Sequence, residues 1–245
     1  RAQWRGAVPA NMGVRRCTIV AAPAHLSHVI VPIKGLFEVK LMDTLTLEGN
    51  YFYSSRTAGS GTFLYPQNQV GDLPWARVSN VTIRNNWYNS NAFTTLAMNS
   101  GYFVTNHLNS GTVRITNNVA EFTDPTELWA LGQVQAVTGL IFTHNTFVGA
   151  VSAIGMGTNT PSPGLMMVDN ILDNGAYGLS CLLPGRTFSG CFPRATFTRN
   201  VIVGGSSHSA VYPRGNTYPP TVAAVGFRDV AGKDFRLSVS SPQRG

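Results

Sequence analysis

The chain has 245 residues, of which 43% are hydrophobic and 12% charged, and its net charge is +7. That length buries a substantial core and suits one elongated domain. No apolar run approaches the roughly 18 residues of a membrane span, and no run of Lys and Arg marks a nucleic-acid patch.

In chain order, residues 1–34 read as irregular or as a degenerate first coil. Pro9, Pro23 and Pro32 interrupt any period, and one weak strand is expected between Val14 and Val20. Residues 35–245 follow one motif, apolar-x-apolar-x-x-Asn-x-apolar. Its copies surround Asn50, Asn86, Asn118, Asn145, Asn170 and Asn200, spaced 25 to 36 residues apart. One strand per repeat and a polar turn residue at a fixed place predict a solenoid of stacked β-coils.

Strand side chains alternate faces. The first and third motif positions, Leu45 and Leu47, Val81 and Ile83, Val113 and Ile115, are expected in the lumen. The second and fourth, such as Thr46 and Glu48, Thr82 and Arg84, Arg114 and Thr116, are expected outside. The six Asn then form a ladder at the turns, bonding from coil to coil.

A second short apolar stretch follows each motif: Thr62–Tyr65, Thr94–Met98, Glu127–Leu131, Val151–Ile154, Gly178–Leu182 and Ala210–Tyr212. Longer insertions at 54–76, 99–110, 155–164, 184–193 and 205–222 are candidate site loops, because loops on a regular scaffold carry function. The last holds His208, Tyr212, Tyr218 and several Pro, and reads either as a sugar-stacking loop or as a packed cover. Of three cysteines, Cys181 and Cys191 are either bridged or buried thiols, and Cys17 is left over. The ends carry no evident polar cap, so the chain reads as a piece of a longer one, with bare coils open to end-to-end stacking or oligomerisation.

These residues resemble a known group. Leu36–Lys40 with Leu45–Phe52, Pro74-Trp75 leading into Val81–Asn86, Arg199–Gly205, and the tail Val225–Leu237 with Ser241-Pro242 carry the likeness. The chain resembles the pectate-lyase-like superfamily, and more closely large predicted secreted β-helix-repeat proteins of soil bacteria. The resemblance implies an all-β, right-handed parallel β-helix, a secreted or cell-surface location, and contact with polysaccharide.

Superfamily enzymes gather carboxylates on neighbouring coils, lyases around Ca²⁺ and hydrolases around a glycosidic bond. Among the twelve outward positions of the six motif copies the only acid is Glu48, and its neighbour Arg84 is expected to pair with it. A local acidic cluster, Glu121, Asp124 and Glu127, is the candidate Ca²⁺ site. His25 and His28 lie three apart but lack a third ligand, and His144 reads as a turn residue. Asp229 and Asp234 are expected to make a turn around Gly232.

Catalytic residues are left unassigned. Glu48, Arg84 and Arg114 are the expected carbohydrate contacts on the outward face, with Trp75 and Tyr212 as stacking rings. The basic balance suits an anionic polysaccharide, a membrane surface or nucleic acid, or else reflects scattered surface Arg with no specific partner. Two readings stand: an exported carbohydrate-binding or carbohydrate-cleaving β-helix, and a non-catalytic structural or adhesive solenoid.

Overall fold

The computed structural model describes residues 9–21, 35–39, 41–54, 60–64, 78–90, 94–99, 112–122, 129–135, 137–149, 154–155, 161–175, 178–180 and 187–244. These form a parallel β-helix with three sheets. Sheet A stacks Ala10–Arg15, Met42–Glu48, Val78–Arg84, Val113–Thr116, Leu140–Thr143, Met166–Val168 and Thr196–Thr198. Sheet B stacks Thr18–Ala21, Tyr51–Ser54, Trp87–Ser90, Val119–Phe122, Thr146–Val148, Ile171–Asp173 and Val201–Val203. Sheet C stacks Gly35–Val39, Ser60–Leu64, Thr94–Asn99, Trp129–Gln135, Ile154–Gly155 and Leu179–Ser180.

The motif spans the A-to-B corner. Leu45, Leu47, Val81, Ile83 and Ile115 are fully buried in the lumen, as their alternation requires. After the Asn the chain turns into sheet B, and the second residue points inward. That row reads Phe52, Tyr88, Ala120, Phe147, Leu172 and Ile202, all buried. Phe52 and Tyr88 stack with centroids 4.5 Å apart, and the small Ala120 separates Tyr88 from Phe147 along the row.

The corner itself is a one-residue reversal. The residue before each ladder position has a left-handed backbone: Arg16, Gly49, Asn85, Asn117, His144, Asp169 and Arg199, with φ between 53° and 65°. Gly49 takes this conformation at no steric cost. Arg16, His144 and Arg199 hold it only because the ladder behind them fixes the chain.

That ladder is continuous and buried. Asn86 donates its backbone N–H and its Nδ2 to Asn118 Oδ1, at 2.9 and 3.0 Å, and Nδ2 also reaches Leu47 O at 3.0 Å. Asn118, Asn145 and Asn170 repeat the pattern onto the next Asn. Every rung thus satisfies amide groups that would each cost about 1–3 kcal/mol if left unpaired.

Both ends of the ladder go beyond the six expected Asn. At the start, Cys17 stands in the Asn position, and its N–H donates to Asn50 Oδ1 at 3.0 Å. Residues 10–21 therefore form a coil corner with two strands, in register with Met42–Glu48 and Tyr51–Ser54. At the far end, Asn216 Oδ1 accepts both the N–H and the Nδ2 of Asn200.

The last coil is covered, which corrects the expectation of a bare end. The segment 215–219 lies along it, through Arg199 N–H to Gly215 O, Ile202 N–H to Thr217 O and Gly204 N–H to Pro219 O. The stretch Ala210–Tyr212 is not a further strand. It is turn, and it delivers Tyr212 to the core. The 184–193 insertion is likewise not all loop: Phe188–Cys191 is a single helical turn, capped by the Thr187 hydroxyl.

Candidate functional site

Sheet A places the expected pair as predicted. Arg84 Nη2 lies 2.9 Å from Glu48 Oε1, and Arg15 Nε lies 3.4 Å from Glu48 Oε2. The Arg84 guanidinium holds the Glu48 carboxyl below its usual range. Glu48 is therefore occupied twice over. Arg114 is exposed but sits in the neighbouring row, beside Thr82 and Ile141, so it does not extend the pair.

Trp75 lies outside the described residues, as do His25, His28, His107, Asp124, Glu127 and Cys181. Tyr212 is placed, and its burial corrects the stacking assignment. It is 6% exposed, packed between Phe197 and Tyr218. Its hydroxyl donates to Asn174 Oδ1 at 2.6 Å and accepts Leu179 N–H at 3.0 Å. Burial pushes its pKa up to about 12. This ring closes the lumen and offers no face to a sugar.

The more developed surface is the outer face of sheet B. Residues one beyond each Asn run up this face in register: Tyr51, Trp87, Val119, Thr146, Ile171 and Val201. A second row, two residues further on, begins Tyr53, Asn89, Glu121 and Val148. At the far end this face is apolar and covered. Ile171, Val201 and Val203 pack with Val225, Val222, Phe227 and Leu237 of the C-terminal segment.

The covering segment ends in an antiparallel hairpin, Phe227–Asp229 with Asp234–Leu237. Gly232 N–H bonds Asp229 Oδ1 at 2.9 Å and closes the expected turn. The hairpin tip reaches back along the helix to the middle of sheet B, where Lys233 Nζ bonds Glu121 Oε1.

Beneath that tip lies a cleft of about 510 Å³, with Trp87, Val119, His144 and Thr146 on the solenoid side and Lys233 to Arg236 on the hairpin side. Trp87 Nε1 on its wall is buried without a hydrogen-bond partner, as is Glu121 Oε2, which lies outside the cleft lining. Next to the cleft the face becomes an aromatic shelf. Tyr51 and Tyr53 are stacked with nearly parallel rings, centroids 6.4 Å apart and planes 14° apart. Trp87 stands edge-on to Tyr51 at 6.2 Å. All three rings are half-buried, with part of their surface open to solvent.

Charges around the cleft are matched. Arg236 binds Asp234 through Nε at 2.7 Å and Nη2 at 2.5 Å, which lowers the Asp234 pKa to about 2. His144 Nε2 is 3.7 Å from Asp169, which Arg199 grips through two bonds of 2.8 and 2.7 Å.

Asp173 is the other outward carboxylate of sheet B, and it accepts from Gly149 and Gly175 N–H. Desolvation raises its pKa. Val148, which stands between it and Glu121 in the second row, is 4% exposed, so no open floor joins the two acids. Among the described residues, no group of three His, Cys, Asp or Glu is placed to hold a metal.

Sequence reading missed this face because the hairpin meets Glu121 across 112 residues. The signal within reach was the aromatic run itself, Tyr51, Tyr53, Trp87 and Tyr88, of which only Tyr88 turns inward.

Cys191 is disulfide-bonded and Cys17 is a free, exposed thiol. No helix among the described residues is long and apolar enough to cross a membrane. No protein-family model, curated protein or solved structure matches the chain.

Proposed function

We propose that this β-helix is an exported protein that binds polysaccharide along the outer face of sheet B. The observation that carries the reading is the stacked, parallel pair Tyr51 and Tyr53 with Trp87 edge-on beside them, all three partly open to solvent. Half-buried aromatic rings suit sugars, whose C–H faces pack on aromatic surfaces while their hydroxyls stay at the polar edge. The shelf replaces the sheet A face as the contact surface, since Glu48 is neutralised by Arg84 and Arg15. A disulfide at Cys191 supports an oxidising compartment.

The reading is one of binding rather than cleavage. Glu121 is engaged by Lys233, Asp173 by two backbone amides, and Val148 is buried between them. Hydrolysis by paired carboxylates needs room for a sugar between the two acids.

A structural or adhesive solenoid is the second reading, favoured by the unbroken ladder from Cys17 to Asn216. Affinity electrophoresis of the purified chain in polysaccharide gels tests the choice, with reducing ends and unsaturated products followed in parallel. Retardation without product supports the binding reading. Product formation overturns the non-catalytic part of it, and free migration in every gel leaves the structural solenoid.

A further inference from the structure

The cleft and shelf carry more than aromatic surface, because their charges describe what fits there. The two cations lining the cleft are Lys233 and Arg236, each facing a carboxylate, Glu121 and Asp234 in turn, and the His144 ring lies 3.7 Å from Asp169. A uronate entering the cleft would have to displace one of these carboxylates and would leave it without its partner. The net basic charge of the chain is therefore not concentrated at this site.

The cleft lining leaves one donor unpaired, and Glu121, outside that lining on the adjacent coil, leaves one acceptor. Trp87 Nε1–H and Glu121 Oε2 are both buried and lack partners. They stand on adjacent coils, since Trp87 pairs with Val119 and Asn89 with Glu121 in the same strand ladder. A sugar hydroxyl is both donor and acceptor. An indole N–H donates to a hydroxyl, carboxylate or sulfate oxygen alike, so what disfavours an acidic sugar is that the cations of the cleft are already paired. The outer face from Tyr51 through Trp87 and Val119 to Thr146, grooved by the cleft from Trp87 onward, crosses three coil spacings, about 14 Å, which is room for a short oligosaccharide segment.

We infer that this groove selects a neutral polysaccharide, with one sugar on the Tyr51–Tyr53 shelf and the chain running past Trp87 into the cleft under the hairpin tip. The inference rests on the carbohydrate-binding reading above and adds to it the ligand class and the residues that set it. Trp87 is the pivot, since it borders both the shelf and the cleft.

The experiment is titration of the purified chain with soluble neutral polymers (xylan, mixed-linkage glucan, galactomannan) and acidic ones (polygalacturonate, alginate, hyaluronan). Salt is raised from about 50 to about 500 mM, enough to screen exposed charges. The expected result is binding to at least one neutral polymer, with affinity changing less than about two-fold over that salt range. Trp87→Ala should weaken it by about ten-fold or more, and Trp87→Phe, which keeps a ring but lacks the indole N–H, should weaken it by a smaller factor. Circular dichroism of both variants shows that the solenoid stays folded.

Preference for an acidic polymer, weakened by salt and dependent on Trp87, overturns the neutral assignment and leaves the carbohydrate reading intact. Neutral binding that both Trp87 variants leave untouched overturns the site. An absence of binding to all six polymers overturns both readings.

Discussion

Asn216 Oδ1 accepts two hydrogen bonds from Asn200, one from its backbone N–H at 2.9 Å and one from its Nδ2 at 3.0 Å. Those are the bonds that each inner rung gives its predecessor, although Asn216 lies on a cover segment with no repeat of its own. Its own Nδ2 is tied to Pro213 O at 2.8 Å and Phe197 O at 3.3 Å. The solenoid thus closes by borrowing one more rung from outside the repeat.

Truncating that rung should fray the last coil. Asn216→Ala leaves two Asn200 donors half-exposed, for an expected loss of about 1–3 kcal/mol. Asn118→Ala should cost more, because it removes the acceptor of Asn86 N–H and one of the two acceptors of Asn86 Nδ2 in the fully buried interior. Urea unfolding of both variants checks the order, and a smaller loss for Asn118→Ala would contradict the ladder account.

Tyr212 should behave as a core hydroxyl. Tyr212→Phe removes the group that joins Asn174 Oδ1 to Leu179 N–H, and is expected to cost about 1–3 kcal/mol. Gly178→Ala should be worse, since Gly178 has φ of 58° and a Cβ there would overlap the Tyr212 hydroxyl. The spectrophotometric titration of the parent minus that of Tyr212→Phe should isolate a tyrosine that resists ionisation up to about pH 12. Its appearance near pH 10 would place Tyr212 in solvent.

The hairpin tip is held by Lys233 on Glu121. Lys233→Met should speed hydrogen exchange at Asp234–Leu237 and leave the ladder amides unchanged. The coupling of the pair in a double-mutant cycle with Glu121→Gln is expected near 1 kcal/mol, since the Lys233 side chain is 39% exposed. Exchange that is equal in parent and variant would mean that the apolar contacts of Phe227 and Leu237 hold the hairpin alone.

Two aspartates should give the pH dependence opposite signs. The Asp169 pKa is lowered, first by its bond to Arg199, so its stabilisation is present above the ordinary pKa and is lost as pH falls through the folded value. The Asp173 pKa is raised by burial, so its charged form opposes folding above the folded value and the penalty lifts on acidification. Between pH 3 and pH 7, Asp173→Asn should gain stability relative to the parent as pH rises, and Asp169→Asn should lose it. Parallel denaturant curves at the two pH values read this directly, and matching trends for both variants would refute the assignment.

The coil repeat was legible because its signal is local. Apolar alternation and a turn Asn recur within eight residues, and burial of one strand face forces the register. The Glu48–Arg84 pair was legible for the same reason, since it follows from stacking equal motif positions. Asn216 was not, because Pro213, Arg214 and Gly215 before it carry no strand pattern. Cys17 was hidden by its residue type: its backbone N–H, not its side chain, fills the place in the ladder. The left-handed corner was also illegible, because Arg, Gly, Asn, His and Asp all occupy it and only the ladder behind imposes the conformation.

The sequence by itself determined the parallel coils, their lumen and their Asn spine, all of which depend on residues a few positions apart. Only the tertiary structure decided which outer face is available. Chain return from residue 205 onward buries Tyr212, covers the apolar end of sheet B and sets the Lys233 tip on Glu121. Those contacts join residues far apart in sequence, and no local period encodes where a non-repeating tail will find apolar surface to bury.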